Sequence, residues 1–156
     1  MEKVAINQRS RIFLLRKGQF MVMIRKFANN NALLLPGGGV EGRETFEQAI
    51  IREVKEELEF EMQSKPIFVC DYINERVPHP DEAKRLKGTT LVRDEYHFYR
   101  YQLKHSDQVH ISSQEKSKFI TAGFIFPSEI DAMAARYNAD IGPAIKTALA
   151  KLTQTT

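Results

Sequence analysis

The chain has 156 residues, 42% of them hydrophobic and 28% charged, with a formal net charge of +3. These values fit one globular domain with a sizeable core, here taken as residues 1–156, and leave no room for two domains of ordinary size. They also fall short of the basic stripe of a nucleic-acid binder, so no stable nucleic-acid complex is expected. No run approaches the roughly 18 uninterrupted apolar residues of a membrane span. Arg9, Arg11, Arg16 and Lys17 break up the N-terminal apolar stretches, so the expectation is a cytoplasmic protein with no signal peptide and no membrane partner.

In chain order, residues 9–15 and 19–27 are apolar or β-branched runs parted by Lys17-Gly18, the pattern of a hairpin. A turn at Asn29-Asn30-Asn31 leads to the short run Ala32–Leu35, which Pro36 and three glycines stop. Thr45–Glu59 has the periodicity of a helix. Residues 66–74, 90–103 and 118–126 read as strands, with a two-proline loop at 77–89. Pro127-Ser128 opens a short helix through Ala135, and Ile141–Leu152 forms a second amphipathic one. This order predicts an α/β fold, a mixed sheet with helices packed on it.

Of the candidate reactive groups, the lone Cys70 reads as a buried, inert thiol. His79, His97, His105 and His110 lack metal-ligand spacing, and Tyr96, Phe98, Tyr99 and Tyr101 read as strand core. Glu95 is expected to face solvent. Lys84, Arg85, Lys87 and Arg93 read as surface charges, with a lid over a ligand as the alternative.

The helix is the unusual element. A helical residue turns about 100°, so Glu53, Glu56 and Glu57 share one narrow arc, with Ile50, Val54, Leu58 and Ile51 in the arc beside it. Each like-charge pair costs about 0.2–0.5 kcal/mol unless a cation compensates. Hard oxygen ligands at this spacing suit Mg²⁺ or Mn²⁺; a solvated charged face relieved by Arg52 and Lys55 accounts for the helix alone equally well. Gly37, Gly38 and Gly39 tip the balance, because they let main chain approach a ligand closely beside those carboxylates.

Gly38, then Glu44, then Arg52-Glu53-Val54-Lys55-Glu56-Glu57-Leu58-Glu59-Phe60 resembles the Nudix box of the MutT-like pyrophosphohydrolases, G-x5-E-x7-R-E-U-x-E-E-x-G-U, with U a bulky apolar residue. The one departure is Glu59, which stands where the family has a helix-ending glycine; it predicts one more helical turn or a different exit. The resemblance implies the Nudix α/β/α sandwich. It also implies hydrolysis, by metal-activated water, of the pyrophosphate bond in a nucleoside diphosphate derivative, a nucleoside triphosphate or a nucleotide sugar.

By position, Glu53, Glu56 and Glu57 are then the Mg²⁺ ligands (Mn²⁺ as alternative), with the main-chain carbonyl of Gly37. Arg52 holds the carboxylates and Glu44 pairs with Arg52. Glu53 is the first choice of general base. Glu115 is the nearest loop candidate, because Thr121 and Ala122 occupy the place of the loop glutamate many relatives use. Arg25, Gly38 and Arg43 are expected at the substrate, and a homodimer is one expectation. The rival class is a non-catalytic Nudix-like module that senses a nucleotide; such modules usually lose box carboxylates, and this chain keeps them.

Overall fold

The computed structural model describes residues 3–27, 31–137 and 142–154. Its elements are β1 (Val4–Arg16), β2 (Gln19–Lys26), β3 (Asn31–Leu34), β4 (Gly37–Gly39), α1 (Phe46–Leu58), β5 (Ile67–Arg76), β6 (Leu91–Gln102), β7 (Phe119–Ile125), α2 (Ile130–Arg136) and α3 (Gly142–Gln154). Lys17 and Gly18 both take positive φ, 51° and 77°, which closes the β1–β2 hairpin in two residues. Of the expected Asn29–Asn31 turn, positions 29 and 30 lie outside the described residues, as does Ile141; Asn31 begins β3.

The sheet runs β3-β2-β1-β6-β5, with β4 paired to β1 and β7 paired to β2. It is mixed: β1 and β6 are parallel over Val4↔Leu91 to Leu15↔Gln102, and the other pairs are antiparallel. The side chains of β1 alternate between two cores. Ile12 and Leu14 point to one face with Ile50, Val54 and Leu58 of α1, while Phe13 points to the other with Ile145 and Leu149 of α3. The result is an α/β/α sandwich. No helix among the described residues is long and apolar enough to cross a membrane.

β1 places the site because it shares its edges. Near its end it pairs with β2 at Leu15↔Phe20, and earlier it pairs with the glycine strand at Arg9↔Gly39, Ser10↔Gly38 and Arg11↔Gly37. Only glycine can serve at position 37. Its φ is 142°, and a Cβ there would lie 2.0 Å from the Ser10 carbonyl oxygen.

Helix α1 starts at a capping box. The Thr45 hydroxyl accepts from the Gln48 N–H, and the Gln48 side chain accepts from the Thr45 N–H. At the other end Glu59 takes the left-handed conformation, φ 51° and ψ 37°, that the family's glycine would take. Neither the extra turn nor the different exit expected from Glu59 therefore forms, and the helix closes at Leu58. Ile51 also departs from expectation. The sheet contacts a narrower arc than the one drawn from periodicity, which leaves Ile51 39% exposed while Ile50, Val54 and Leu58 are fully buried.

The 77–89 loop contains a short 3₁₀ turn, Pro80–Glu82, tied down by Arg76. That guanidinium reaches Glu82 at 2.6 Å and Asp94 at 2.8 Å and holds the Glu82 carboxyl down at about 2. Arg85 and Arg93 pair with Glu82 and Glu75. Phe98, Tyr99 and Tyr101 are core, and Cys70 is buried, its thiol pushed up by desolvation. Replacing Leu58 by Ala should cost about 2–5 kcal/mol in urea unfolding, against about 0.5 kcal/mol or less for Ile51→Ala.

Candidate active site

Burying Ile50, Val54 and Leu58 turns Glu53 and Glu57, one helical turn apart, toward the glycine strand. The Gly37 N–H donates to Glu57 Oε1 at 2.9 Å, and Glu57 is only 7% exposed. The Glu53 carboxylate lies against Gly38, where an added Cβ would come within 2.5 Å of it. The glycines are therefore close-approach positions on two counts: Gly37 against β1 and Gly38 against a carboxylate.

Arg52 is the hub on the outer side of the helix. Its Nε and Nη2 grip Glu44 at 2.7 and 3.0 Å, its Nη1 reaches Glu53 at 3.0 Å and Glu56 at 3.2 Å, and Nη2 also donates to the Gly39 carbonyl at 3.0 Å. One guanidinium thus ties three carboxylates to the glycine strand, using the planar fork that lysine lacks. Its hydrogen bonds hold Glu44 below the usual carboxylate range and push Arg52 itself up.

Inside, burial dominates. Desolvation pushes Glu53 up against the opposing Arg52 bond, and it pushes Glu57 up to about 7 in spite of Arg11 and the Gly37 amide. Arg11 is 5% exposed, donates through Nη1 to the Leu35 and Gly37 carbonyls at 3.0 and 3.1 Å, and leaves Nε without a partner. Burial pulls Arg11 down, and the nearby Glu57 works against that.

A cleft of about 190 Å³ opens here. Its walls include Glu53, Glu57 and Glu115, the cations Arg9, Arg11, Arg25 and Lys118, and the strand Gly37 to Gly39. Glu115 arrives from the segment between β6 and β7 and pairs with Lys118 at 3.2 Å. Arg25 stands with its guanidinium 4.9 Å from the Phe27 ring centre.

Four of the residues singled out from sequence stay off these walls. Arg52 and Glu44 pair on the outer side of the helix, Arg43 is exposed in the turn before α1, and Glu56, 52% exposed at its side chain, is turned onto Arg52. Among the described residues no three His, Cys, Asp or Glu side chains converge as a ready metal-binding group. His97 stacks on Phe46, with ring centres 3.6 Å apart, and His110 meets Glu59.

Arg9, Arg11 and Lys118 escaped the sequence reading. The signal for the first two was available: arginines two apart on a strand point the same way, and a pair of them in an apolar strand calls for an acceptor. Lys118 had no such signal.

The cleft thus combines a buried carboxylate, Glu57, and a partly buried one, Glu53, behind a glycine strand with cations opposite. The family model described as NUDIX domain matches residues 5–145, and the chain belongs to the Nudix family. Its fold is similar to that of the dihydroneopterin triphosphate pyrophosphohydrolase of E. coli, at 19% identity and a TM-score of 0.66 over 100% of this chain and 99% of that one. The E. coli ORF135 protein is similar at 18% identity and 0.66, over 97% and 91%. A C. elegans Ap4A hydrolase is similar at 18% and 0.60, over 97% and 96%. No curated protein matches the chain.

Two outcomes follow from this geometry. Gly37→Ala, which meets main chain, should unfold the protein or cost more than about 3 kcal/mol, whereas Gly38→Ala, which displaces the Glu53 carboxylate, should cost less and cut activity. Glu57 holds its proton to about pH 7 when folded but loses it near the ordinary value of 4.5 when unfolded. Its stabilising contribution without divalent metal is complete below about pH 4.5 and is lost as the pH rises through 7. Glu57→Gln should therefore raise metal-free stability at pH 8 by on the order of 2 kcal/mol and change it little at pH 4.5, read by chemical denaturation.

Proposed function

We propose that this chain hydrolyses the pyrophosphate bond of a nucleoside diphosphate derivative, a nucleoside triphosphate or nucleotide sugar, with Mg²⁺ or Mn²⁺. The observation that carries the reading is the meeting of Glu53, Glu57 and Glu115 with Arg9, Arg11, Arg25 and Lys118 in one cleft against the glycine strand. The similar solved structures named for triphosphate and Ap4A hydrolysis lend support through their fold.

The donor set fits a hard divalent cation. It is all oxygen, and burial makes the charged forms of Glu53 and Glu57 costly, a cost that a bound cation would relieve. Glu53 and Glu57, with the Gly37 carbonyl, are the residues in the cleft that would hold it, and Glu56 would join them on leaving Arg52. When bound, such an ion supplies charge neutralisation on the phosphate oxygens and acidifies water.

The chain's own groups do the rest. Arg25 and Arg9 hold phosphate oxygens and set the anhydride across the cleft. Arg52 fixes the Glu53 side chain, and Glu44 and Gly39 fix Arg52 in turn. The proton of the attacking water passes to a carboxylate. Glu53 is the first choice, because burial raises its affinity for a proton toward the working pH, and Glu115 is the other base within the cleft.

Incubation with Mg²⁺ and a panel of nucleoside triphosphates, nucleotide sugars and dinucleoside polyphosphates tests this, with products separated by ion exchange. Turnover that stops on chelation and falls about 10²–10⁴-fold in Glu53→Gln is expected. Tight nucleotide binding without turnover, or turnover that survives both Glu56→Gln and Glu57→Gln, contradicts it.

A further inference from the structure

The segment that carries Glu115 has no strand or helix of its own, yet it is fastened to the end of α1 at successive points. The Ser112 N–H donates at 2.8 Å to the carbonyl of Glu57, the residue whose carboxylate enters the cleft. The His110 N–H makes a longer contact, 3.5 Å, to the Leu58 carbonyl. Helix ends leave such carbonyls unpaired, and here loop amides take them up. From Ser112, 3% exposed, the chain turns tightly: Glu115 N–H donates to the Ser112 carbonyl at 3.0 Å, and Lys118 and Phe119 donate to the Glu115 carbonyl as β7 begins.

Glu59 adds a side-chain anchor next to these docked amides, and Arg16 holds the far end of the segment through the Lys104 and Asp107 carbonyls. His110 Nε2 donates to Glu59 Oε2 at 3.0 Å. A glutamate with φ 51° is strained where a glycine is at ease, so the helix exit alone gives no reason for it. As an ion pair between partners 60% and 48% exposed it contributes little to stability. Its effect is geometric: it pins the root of the Glu115 segment to the helix that carries Glu53 and Glu57.

We infer that Glu59 is a positioning residue for hydrolysis, latching His110 so that Glu115 faces the cleft. This rests on the hydrolase reading above. The glutamate that stands in the family glycine's place keeps the glycine's backbone and adds a tether.

Glu59→Gly, which suits the left-handed backbone, should fold normally. In the latched enzyme it should lower kcat about tenfold with KM within about twofold, and speed amide hydrogen exchange at Ser112 and Glu115 about tenfold. Glu59→Gln, which keeps an acceptor for His110, should restore most of both. Added to Glu115→Gln, Glu59→Gly should cause no further loss of kcat. Unchanged exchange, or an unchanged kcat in an active enzyme, overturns the latch. A wild-type protein that turns over nothing contradicts the hydrolase reading instead, and the exchange measurement still reports on the tether.

Discussion

The site is organised around one buried hydrogen bond, from the Gly37 amide to the Glu57 carboxylate at 2.9 Å. It locks the helix to the glycine strand, and so to β1, on which the sheet is built. Every neighbouring constraint serves it. Position 37 must be glycine because the Ser10 carbonyl leaves no room for a Cβ, and α1 must be buried along Ile50, Val54 and Leu58 to bring Glu57 round. The same carboxylate is held in a place where its charge is costly. A fold does not keep such a group for stability alone; it is the kind of tension found at functional sites.

The opposite arrangement operates one turn away. Arg52 holds Glu44, Glu53 and Glu56 with strong bonds on the outer side of the helix, whereas Glu57 on the inner side is held by a single main-chain amide. The helix therefore has one face bonded to Arg52 and one that lines the cleft. Glu53 belongs to both, bonded to Arg52 and lining the cleft, which makes it the carboxylate whose position is most tightly specified.

What the chain disclosed in advance follows from how local each feature is. The carboxylate arc and the Lys17-Gly18 hairpin depend on neighbours a few residues apart, and both were legible. The Nudix box added Arg52 and Glu44, whose pairing spans only 8 residues. Arg9 and Arg11 reach the cleft through pairing with Gly39 and Gly37, and Glu115 through amides docked on the end of α1. Such long-range closures leave little periodic trace. Ile51 shows the limit of periodicity even within the helix: it fixes the direction of the buried face, but the sheet decides its width. Glu59 shows the limit of a motif, because the letter changed while the backbone conformation stayed.

The central claim is that the inner carboxylates, led by Glu57, bind a cation. The most direct measurement is Mn²⁺ binding by electron paramagnetic resonance, without nucleotide, on wild type and Glu57→Gln at pH 8 and pH 5.5. A site present in wild type at pH 8, weakened at pH 5.5 where Glu57 keeps its proton, and lost in Glu57→Gln is the predicted result. Equal Mn²⁺ binding by the two proteins at pH 8 would contradict it.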